Sequence, residues 1–225
     1  MFKRILFRVV SILGITKKIP RQGIDAFIKK HATQEKTLDI GSGHGPYAHY
    51  FPNRTSIDRA SGPGVDIVAD GHDLSVFQDE TFDCILATEV LEHLHAPHQA
   101  ISEMRRVLKK GGRVVLTTRF IFPLHNIPGD YFRFTRYGLA HLFSDFSKVM
   151  IEEETTTIQT FAVLFERLGF QTDTLSSRML SGLWLLLSKI VYCCSFLITA
   201  EYGEVERKNK ISSLLTCGYY VVAIK

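Results

Sequence analysis

Residues 37–45 read T-L-D-I-G-S-G-H-G, a short apolar strand that carries an acid near its end and runs directly into three alternate glycines. Glycine lets a backbone turn sharply and approach a ligand closely, so this stretch favours folds that hold a ligand at a strand end. The chain that follows keeps the same pattern. Short apolar runs, K-T-L-D-I (36–40), R-T-S-I-D (54–58), G-V-D-I-V-A-D (64–70), F-D-C-I-L-A-T (82–88) and R-V-V-L-T-T (113–118), alternate with helical stretches. The spacing predicts a helix from Tyr47 to Phe51 and another from Ala96 to Leu108, the second stopped by K-K-G-G with Gly111 as its cap. Residues 146–153 read as a strand, 157–170 as a helix ending at Gly169, and 217–225 as a closing strand. Strands apolar on both faces and separated by helices imply a parallel sheet covered on both sides. Ligands in such sheets bind at the carboxyl ends of the strands.

The spacing and charge of the glycine loop narrow its ligand. A dinucleotide fingerprint, G-x-G-x-x-G, would place its third glycine at position 46, where Pro46 stands. A pyrophosphate on backbone N–H groups would also be opposed by a nearby acid, and Asp39 lies two residues before the turn. These two points disfavour a nicotinamide oxidoreductase. An amino-acid moiety suits the site better, with its carboxylate on the loop N–H groups and its ammonium near Asp39. Asp58 closes the next strand, 19 positions after Asp39, where an acid can accept from both ribose hydroxyls. Asp70 ends the third strand, where an adenine edge would lie. Three acids at three successive strand ends read as amino acid, ribose and base, which together make S-adenosylmethionine.

At L-D-I-G-S-G-H-G, S-I-D-R-A, V-A-D-G-H-D-L-S-V-F-Q-D-E-T-F-D-C-I-L-A-T-E-V-L-E-H-L and I-S-E-M-R-R-V-L-K-K-G-G-R-V-V-L-T-T, covering about residues 36–120, the chain resembles the class I S-adenosylmethionine-dependent methyltransferases. The resemblance implies an α/β, Rossmann-like sheet of seven strands with helices on both faces and an antiparallel last strand, which C-G-Y-Y-V-V-A-I-K fits. Carried over residue by residue, it puts Asp39, Gly41, Ser42, Gly43 and Gly45 against the methionine part and Asp58 against the ribose. Asp70, Gly71 and His72 would surround the adenine, and Thr88 and Glu89 would flank the path of the methyl group.

Methyl transfer from a sulfonium is an in-line displacement, so the protein supplies orientation and, for a hydroxyl acceptor, a base. The candidates follow the fourth and fifth strands. E-V-L-E-H-L-H-A-P-H offers Glu89, Glu92, His93, His95 and His98; residues 119–139 offer His125, Asp130, Tyr131, Arg133 and Arg136. Pro123, Pro128 and Gly129 mark an irregular loop there, and Thr135 suits the cap of a following helix. His125 is the first choice for the base, with Glu89 and His93, four apart, as further catalytic candidates. Glu89, Glu92, His93 and His125 also look like the metal-binding set of the small-RNA 3′-end methyltransferases, where two carboxylates and two imidazoles could hold a divalent ion against a ribose diol. No RNA-binding module or basic-aromatic stripe accompanies them, so nucleic acid is disfavoured as a partner and no metal ligand is assigned.

With 225 residues, 45% of them hydrophobic, the chain suffices for one domain with a sizeable core. Its charge is uneven. Residues 1–36 hold nine Lys or Arg against two acids, whereas the whole chain carries only +4, so the remainder is net −3. M-F-K-R-I-L-F-R-V-V-S-I-L-G sets Phe2, Ile5, Leu6, Val9, Val10 and Leu13 on one helical face with the bases off it. Residues 1–35 therefore read as a basic amphipathic helical segment, and 36–225 as the methyltransferase domain. That domain carries an apolar helical insertion at about 178–202, in which residues 182–200 hold a single charge, Lys189. A membrane span there would strand the closing strand on the wrong side of the bilayer; an interfacial helix or a cover for the sheet does not. Four cysteines without metal-ligand spacing fit reduced thiols in the cytoplasm, and the two apolar segments leave open a peripheral position on the inner face of a membrane. The expected reaction is O-methylation of a small or membrane-associated acceptor, to which the resemblance adds lipid- or glycan-linked acceptors. The alternatives are a metal-assisted RNA ribose methyltransferase and a non-catalytic S-adenosylmethionine-binding scaffold. Oligomeric state has no signature in the sequence.

Overall fold

The computed structural model describes residues 19–172 and 179–225, divided between two units. The predicted amphipathic helix at residues 1–14 lies outside the described residues. The larger unit comprises residues 26–120, 124–152 and 218–225, and is built around a seven-stranded sheet. Its strands are β1 (Thr37–Ile40), β2 (Arg54–Asp58), β3 (Ile67–Val68), β4 (Phe82–Thr88), β5 (Leu108–Arg119), β6 (Lys148–Glu153) and a last strand, Gly218–Ile224. That last strand is β9, since two short strands, β7 (Glu201–Tyr202) and β8 (Lys210–Ile211), precede it elsewhere. The sheet order is β3-β2-β1-β4-β5-β9-β6. β1 pairs in parallel with β2 and β4, and β4 in parallel with β5. β9 runs antiparallel to β5, with Val115 opposite Val222.

Side chains on both faces of the central strands bury, as the two-sided apolar runs require. Leu38, Ile40, Ile85, Val114, Leu116, Val221 and Ala223 all lie in one core with Phe82 and Phe143. Helix α2 (Pro97–Val107) adds Ala100, Ile101, Met104 and Val107 on one stripe; its Pro97 opens the first turn and Arg105 and Arg106 occupy the last. Helix α1 (Ile19–Lys30) precedes β1, and Phe27, near its end, stacks on Tyr220 of β9 with ring centroids 4.6 Å apart. Helix α3 (Arg136–Leu142) is capped as expected, Gly138 N–H donating to the Thr135 hydroxyl at 3.0 Å. Cys84 is buried in β4, and burial pushes its thiol up to about 11, which makes it an inert core residue.

Three local expectations are corrected. The stretch after the glycine loop forms only a 3₁₀ turn, Ala48–Tyr50, because Pro46 and Pro52 leave too few residues to nucleate a helix. Gly111 does not cap α2, which already ends at Val107; it sits within β5 at φ +76° and donates its N–H to the Lys225 carbonyl. The helix expected to end at Gly169 continues to Gln171.

The smaller unit takes in residues 19–25, 121–123, 153–172 and 179–217 of the described chain. Helix α4 (Thr157–Gln171) begins with a capping box between Thr156 and Gln159. Helix α5 (Met179–Cys193), continued by a 3₁₀ turn at Cys194–Leu197, matches the apolar segment. Phe165 of α4 stacks on Trp184 of α5 at 5.6 Å. Glu166, buried, accepts the Ile19 N–H on both carboxylate oxygens at 3.3 Å and meets Lys189 Nζ at 3.4 Å. The β7–β8 ladder pairs Glu201 with Ile211. Among the described residues no helix is long and apolar enough to cross a membrane.

Candidate active site

The carboxyl ends of β1, β2, β3 and β4 meet at a cleft lined by Gly41, Asp58, Gly71, Glu89, Val90 and His93, among others. Its first wall is backbone. Gly41, Gly43 and Gly45 have φ of +67°, +52° and +62°, a region that side chains rarely adopt. A Cβ on Gly41 would stand 2.2 Å from Val90 Cγ2, whereas one on Gly43 would meet nothing within 4 Å. The loop is held from β2, the Ile57 carbonyl accepting from the N–H groups of Gly41 and Ser42. Asp58 accepts from Gly43 N–H at 3.0 Å and from Ala60 N–H at 3.3 Å, which fixes its carboxylate at the lip of the cleft. A glycine cradle with an acid at the next strand end fits the amino-acid and ribose parts of S-adenosylmethionine.

Two of the expected contact residues have other neighbours. Asp39, the candidate partner of the ammonium group, is buried, and its carboxylate meets Arg54 Nη1 at 3.1 Å; Arg54 Nη2 in turn donates to the Gly64 carbonyl. Burial outweighs Arg54 and pushes the Asp39 carboxyl up to about 7. His72 is buried with both ring nitrogens engaged. Its Nδ1 lies 2.6 Å from Asp70 Oδ1, and its Nε2 accepts the Ala96 N–H at 3.2 Å. The hydrogen therefore sits on Nδ1, and the ring braces the Asp70–His72 turn while Gly71 lines the cleft. Burial works against ionisation of Asp70, but the backbone N–H and ring of His72 hold its carboxyl below the ordinary range. Ser42 is buried, and Thr88, closing β4 opposite Thr117, lies beside Glu89.

The second wall is made of side chains. Glu89 takes a left-handed backbone, φ +57°, and Glu89 and His93 belong to no common α-helix, since only a 3₁₀ turn, Leu91–His93, forms there. The Glu89 carboxylate accepts from the Thr117 hydroxyl at 3.0 Å and pairs with Arg119. Glu92 is fully buried: one oxygen accepts from Thr118 Oγ1 at 2.8 Å and the other stands 3.7 Å from His125 Nε2. Burial alone would raise the Glu92 carboxyl. His125, the local backbone, the Thr118 hydroxyl and Arg119 instead hold it below the ordinary range, so it is ionised. The Glu92 carbonyl also accepts the N–H groups of Tyr131 and Phe132, which ties the loop after β5 to this turn. His125 Nδ1 lies 3.5 Å from Asp130, and Asp130 accepts two 2.6 Å bonds from Arg133. Those bonds hold the Asp130 carboxyl down at about 2.

His93 stands apart from this charge network. Its Nδ1 lies 2.7 Å from the Gly129 carbonyl, so in the neutral ring Nδ1 donates and Nε2 keeps its lone pair. Its ring meets that of His125 edge-on at 4.8 Å. Ligand atoms of Glu92, His93 and His125 lie within 4.8 Å of one another. Glu89, the fourth member of the metal set, is turned to Thr117 and Arg119 instead. Arg54, Thr117, Thr118 and Arg119 escape a reading of the sequence, since each meets its acid only through the pairing of strands and turns in the fold.

Residues 14–175 match the family model of a methyltransferase domain. Over 97 residues the chain is 36% identical to an uncharacterized protein of Methanocaldococcus jannaschii, covering 40% of this chain and 47% of that one. Over 120 residues it is 28% identical to the demethylmenaquinone methyltransferase of Renibacterium salmoninarum, covering 48% of this chain and 50% of that enzyme. The chain thus spans about half the length of these curated relatives. A methyltransferase dependent on S-adenosylmethionine from Archaeoglobus fulgidus has a similar fold, with a TM-score of 0.56 at 14% identity over 91% of this chain and 94% of that one.

Proposed function

The chain belongs to the class I S-adenosylmethionine-dependent methyltransferases, and from that premise we propose that it methylates a hydroxyl on a small or membrane-associated acceptor, with His93 as the base. When bound, S-adenosylmethionine supplies an activated methyl group on its sulfonium. The glycine loop and Asp58 would hold and orient it, with Gly71 lining the cleft at the third strand. The observation that carries the reading is the Nδ1 contact of His93 with the Gly129 carbonyl. It leaves Nε2, on a residue that lines the cleft, to take the acceptor's hydroxyl proton as the oxygen attacks. Both ring nitrogens of His125 face carboxylates, so its role here is to hold the loop and the field around His93. Glu89, paired with Arg119, shapes the wall between the two ligands. A relative named as a demethylmenaquinone methyltransferase is in keeping with a small-molecule acceptor.

The test follows labelled methyl from S-adenosylmethionine into the lipid and aqueous fractions of a cell extract. His93→Ala should cut incorporation by ~10²-fold or more while calorimetric affinity for S-adenosylhomocysteine stays unchanged; His125→Ala should cut it less. Full activity in His93→Ala would rule out the base.

A second reading has its own support. Glu92, His93 and His125 each offer one ligand atom to a donor set of the kind that holds a divalent ion, and Asp130 and the Gly129 carbonyl, which the Nδ1 atoms of His125 and His93 face, would steady the two imidazoles from behind. Such an ion would favour a ribose diol on RNA as the acceptor. Elemental analysis of the purified protein, together with activity before and after EDTA, separates the two readings: this one expects bound metal and loss of activity, the first expects neither.

A further inference from the structure

We infer that Arg54 makes the glycine loop a site for a carboxylate, bracing the loop from behind and offsetting the charge of Asp39. Its role is positioning, and it rests on the reading above, in which that loop seats the amino-acid part of S-adenosylmethionine. Alternate side chains share one face of a strand, so Arg54, Ser56 and Asp58 lie along one face of β2. Asp39 stands on the same face, because the pairing of β1 with β2 sets it opposite Ser56. Asp39 and Ser56 are buried, and the Arg54 side chain is only 13% exposed. Polar groups this deep in an apolar sheet cost stability unless each is partnered.

Arg54 joins three pieces of chain. Nη1 donates to Asp39 Oδ2 at 3.1 Å and Nη2 to the Gly64 carbonyl at 3.3 Å. A Cβ on Gly45 would stand 2.8 Å from Nη2, so the guanidinium packs directly against the loop. The Gly64 carbonyl also accepts from the hydroxyls of Ser56 and Ser42, at 2.7 and 3.5 Å, and Ser42 belongs to the loop. Charge gives this bracing a chemical sense. An acid beside a set of N–H groups repels an anion, and three acids bear on this place: Asp39, Asp58 and Asp66. Asp66 accepts from Ser56, and Asp58 from Gly43 and Ala60. Asp39 is left to Arg54. Burial raises its carboxyl to about 7, and the arginine, charged at any pH the protein meets, offsets whatever fraction ionises. The loop N–H groups then meet a carboxylate with a cation behind them. A lysine would carry the charge without the planar fork that reaches Asp39 and Gly64 together.

The experiment is calorimetric titration of the full-length protein with S-adenosylhomocysteine and with its decarboxylated analogue, the same thioether ending in an aminopropyl group. The parent protein should prefer S-adenosylhomocysteine by ~10-fold or more. Arg54→Met should lose that preference, by weakening S-adenosylhomocysteine while leaving the analogue within about twofold. Arg54→Gln keeps donors but not the charge; it should lose the preference too, and it decides the matter where Arg54→Met does not fold. Arg54→Lys should keep part of it. Equal weakening of the two ligands would assign Arg54 to the fold alone and overturns the proposal. So does a preference that survives Arg54→Met and Arg54→Gln, or one absent from a parent protein that binds both ligands. A parent protein that binds neither ligand is a separate result, which would sink the reading of the cleft as an S-adenosylmethionine site and this proposal with it.

Discussion

The two walls of the cleft differ in material. At the glycine loop, the side proposed for the cofactor, three glycines in left-handed conformations and one acid at a strand lip present mostly backbone; after β4 and β5, the side proposed for the acceptor, Glu89, Glu92 and Asp130 are met by Arg119, His125 and Arg133. Backbone N–H groups survive every substitution except proline, so the first wall is broken by adding bulk. The second is a set of paired side chains, so it is broken by removing a partner. That difference predicts which substitutions destroy binding and which destroy turnover.

The largest effect is expected from Gly41→Val, which adds a β-branched side chain at φ +67° and 2.2 Å from Val90. Strain of ~1–3 kcal/mol plus the clash should cost ~10²-fold in S-adenosylhomocysteine affinity by calorimetry. Gly43→Ala, with open space around it, should cost only ~10-fold, and equal losses would mean that conformation alone matters. Next comes Glu92→Gln. It keeps the shape but removes a buried charge beside His125, so we expect ~10²-fold lower turnover with cofactor affinity unchanged, and ~1–3 kcal/mol lower stability in urea. A loss of cofactor affinity instead would erase the distinction between the walls. The smallest effect belongs to Asp39, the one cofactor-side acid that behaves like the acceptor side. Its carboxyl is raised in the fold, from 3.8 to about 7. Its protonated form therefore favours folding below about pH 4, and that contribution fades as pH rises to about 7. Asp39→Asn should accordingly gain on the parent protein in urea midpoint between pH 5 and pH 8; a gap that widens the other way would refute the burial argument.

The same contrast governs what the sequence disclosed. The strands, their order of use and the glycine loop were readable because each depends on neighbouring residues: F-D-C-I-L-A-T can only be a strand buried on both faces. Residues 47–51 taken by themselves read as a helix, but Pro52 follows at once and only a 3₁₀ turn forms. The β7–β8 ladder left no signal, since Glu201, Tyr202, Lys210 and Ile211 carry no alternation long enough to detect. Of the candidate site, His93 and His125 were found from residue type. The different surroundings of the two rings were not, because they rest on Gly129, 36 residues from His93, and on Asp130 and Glu92 from different segments. Arg54 escaped for the same reason: its grip on Asp39 is created by the pairing of β1 with β2.

The position of β9 bears on how the chain reaches this state. β9 lies between β5 and β6, yet about 65 residues, including α4, α5 and the β7–β8 ladder, separate β6 from β9 in the chain. On a ribosome, the edge of β5 must wait unpaired while all of them are made. Sheet closure is then a late, non-local event, slow by contact order, and an open apolar strand edge is an aggregation hazard while it lasts. Nascent chains stalled before Gly218 should therefore be the ones that chaperones hold.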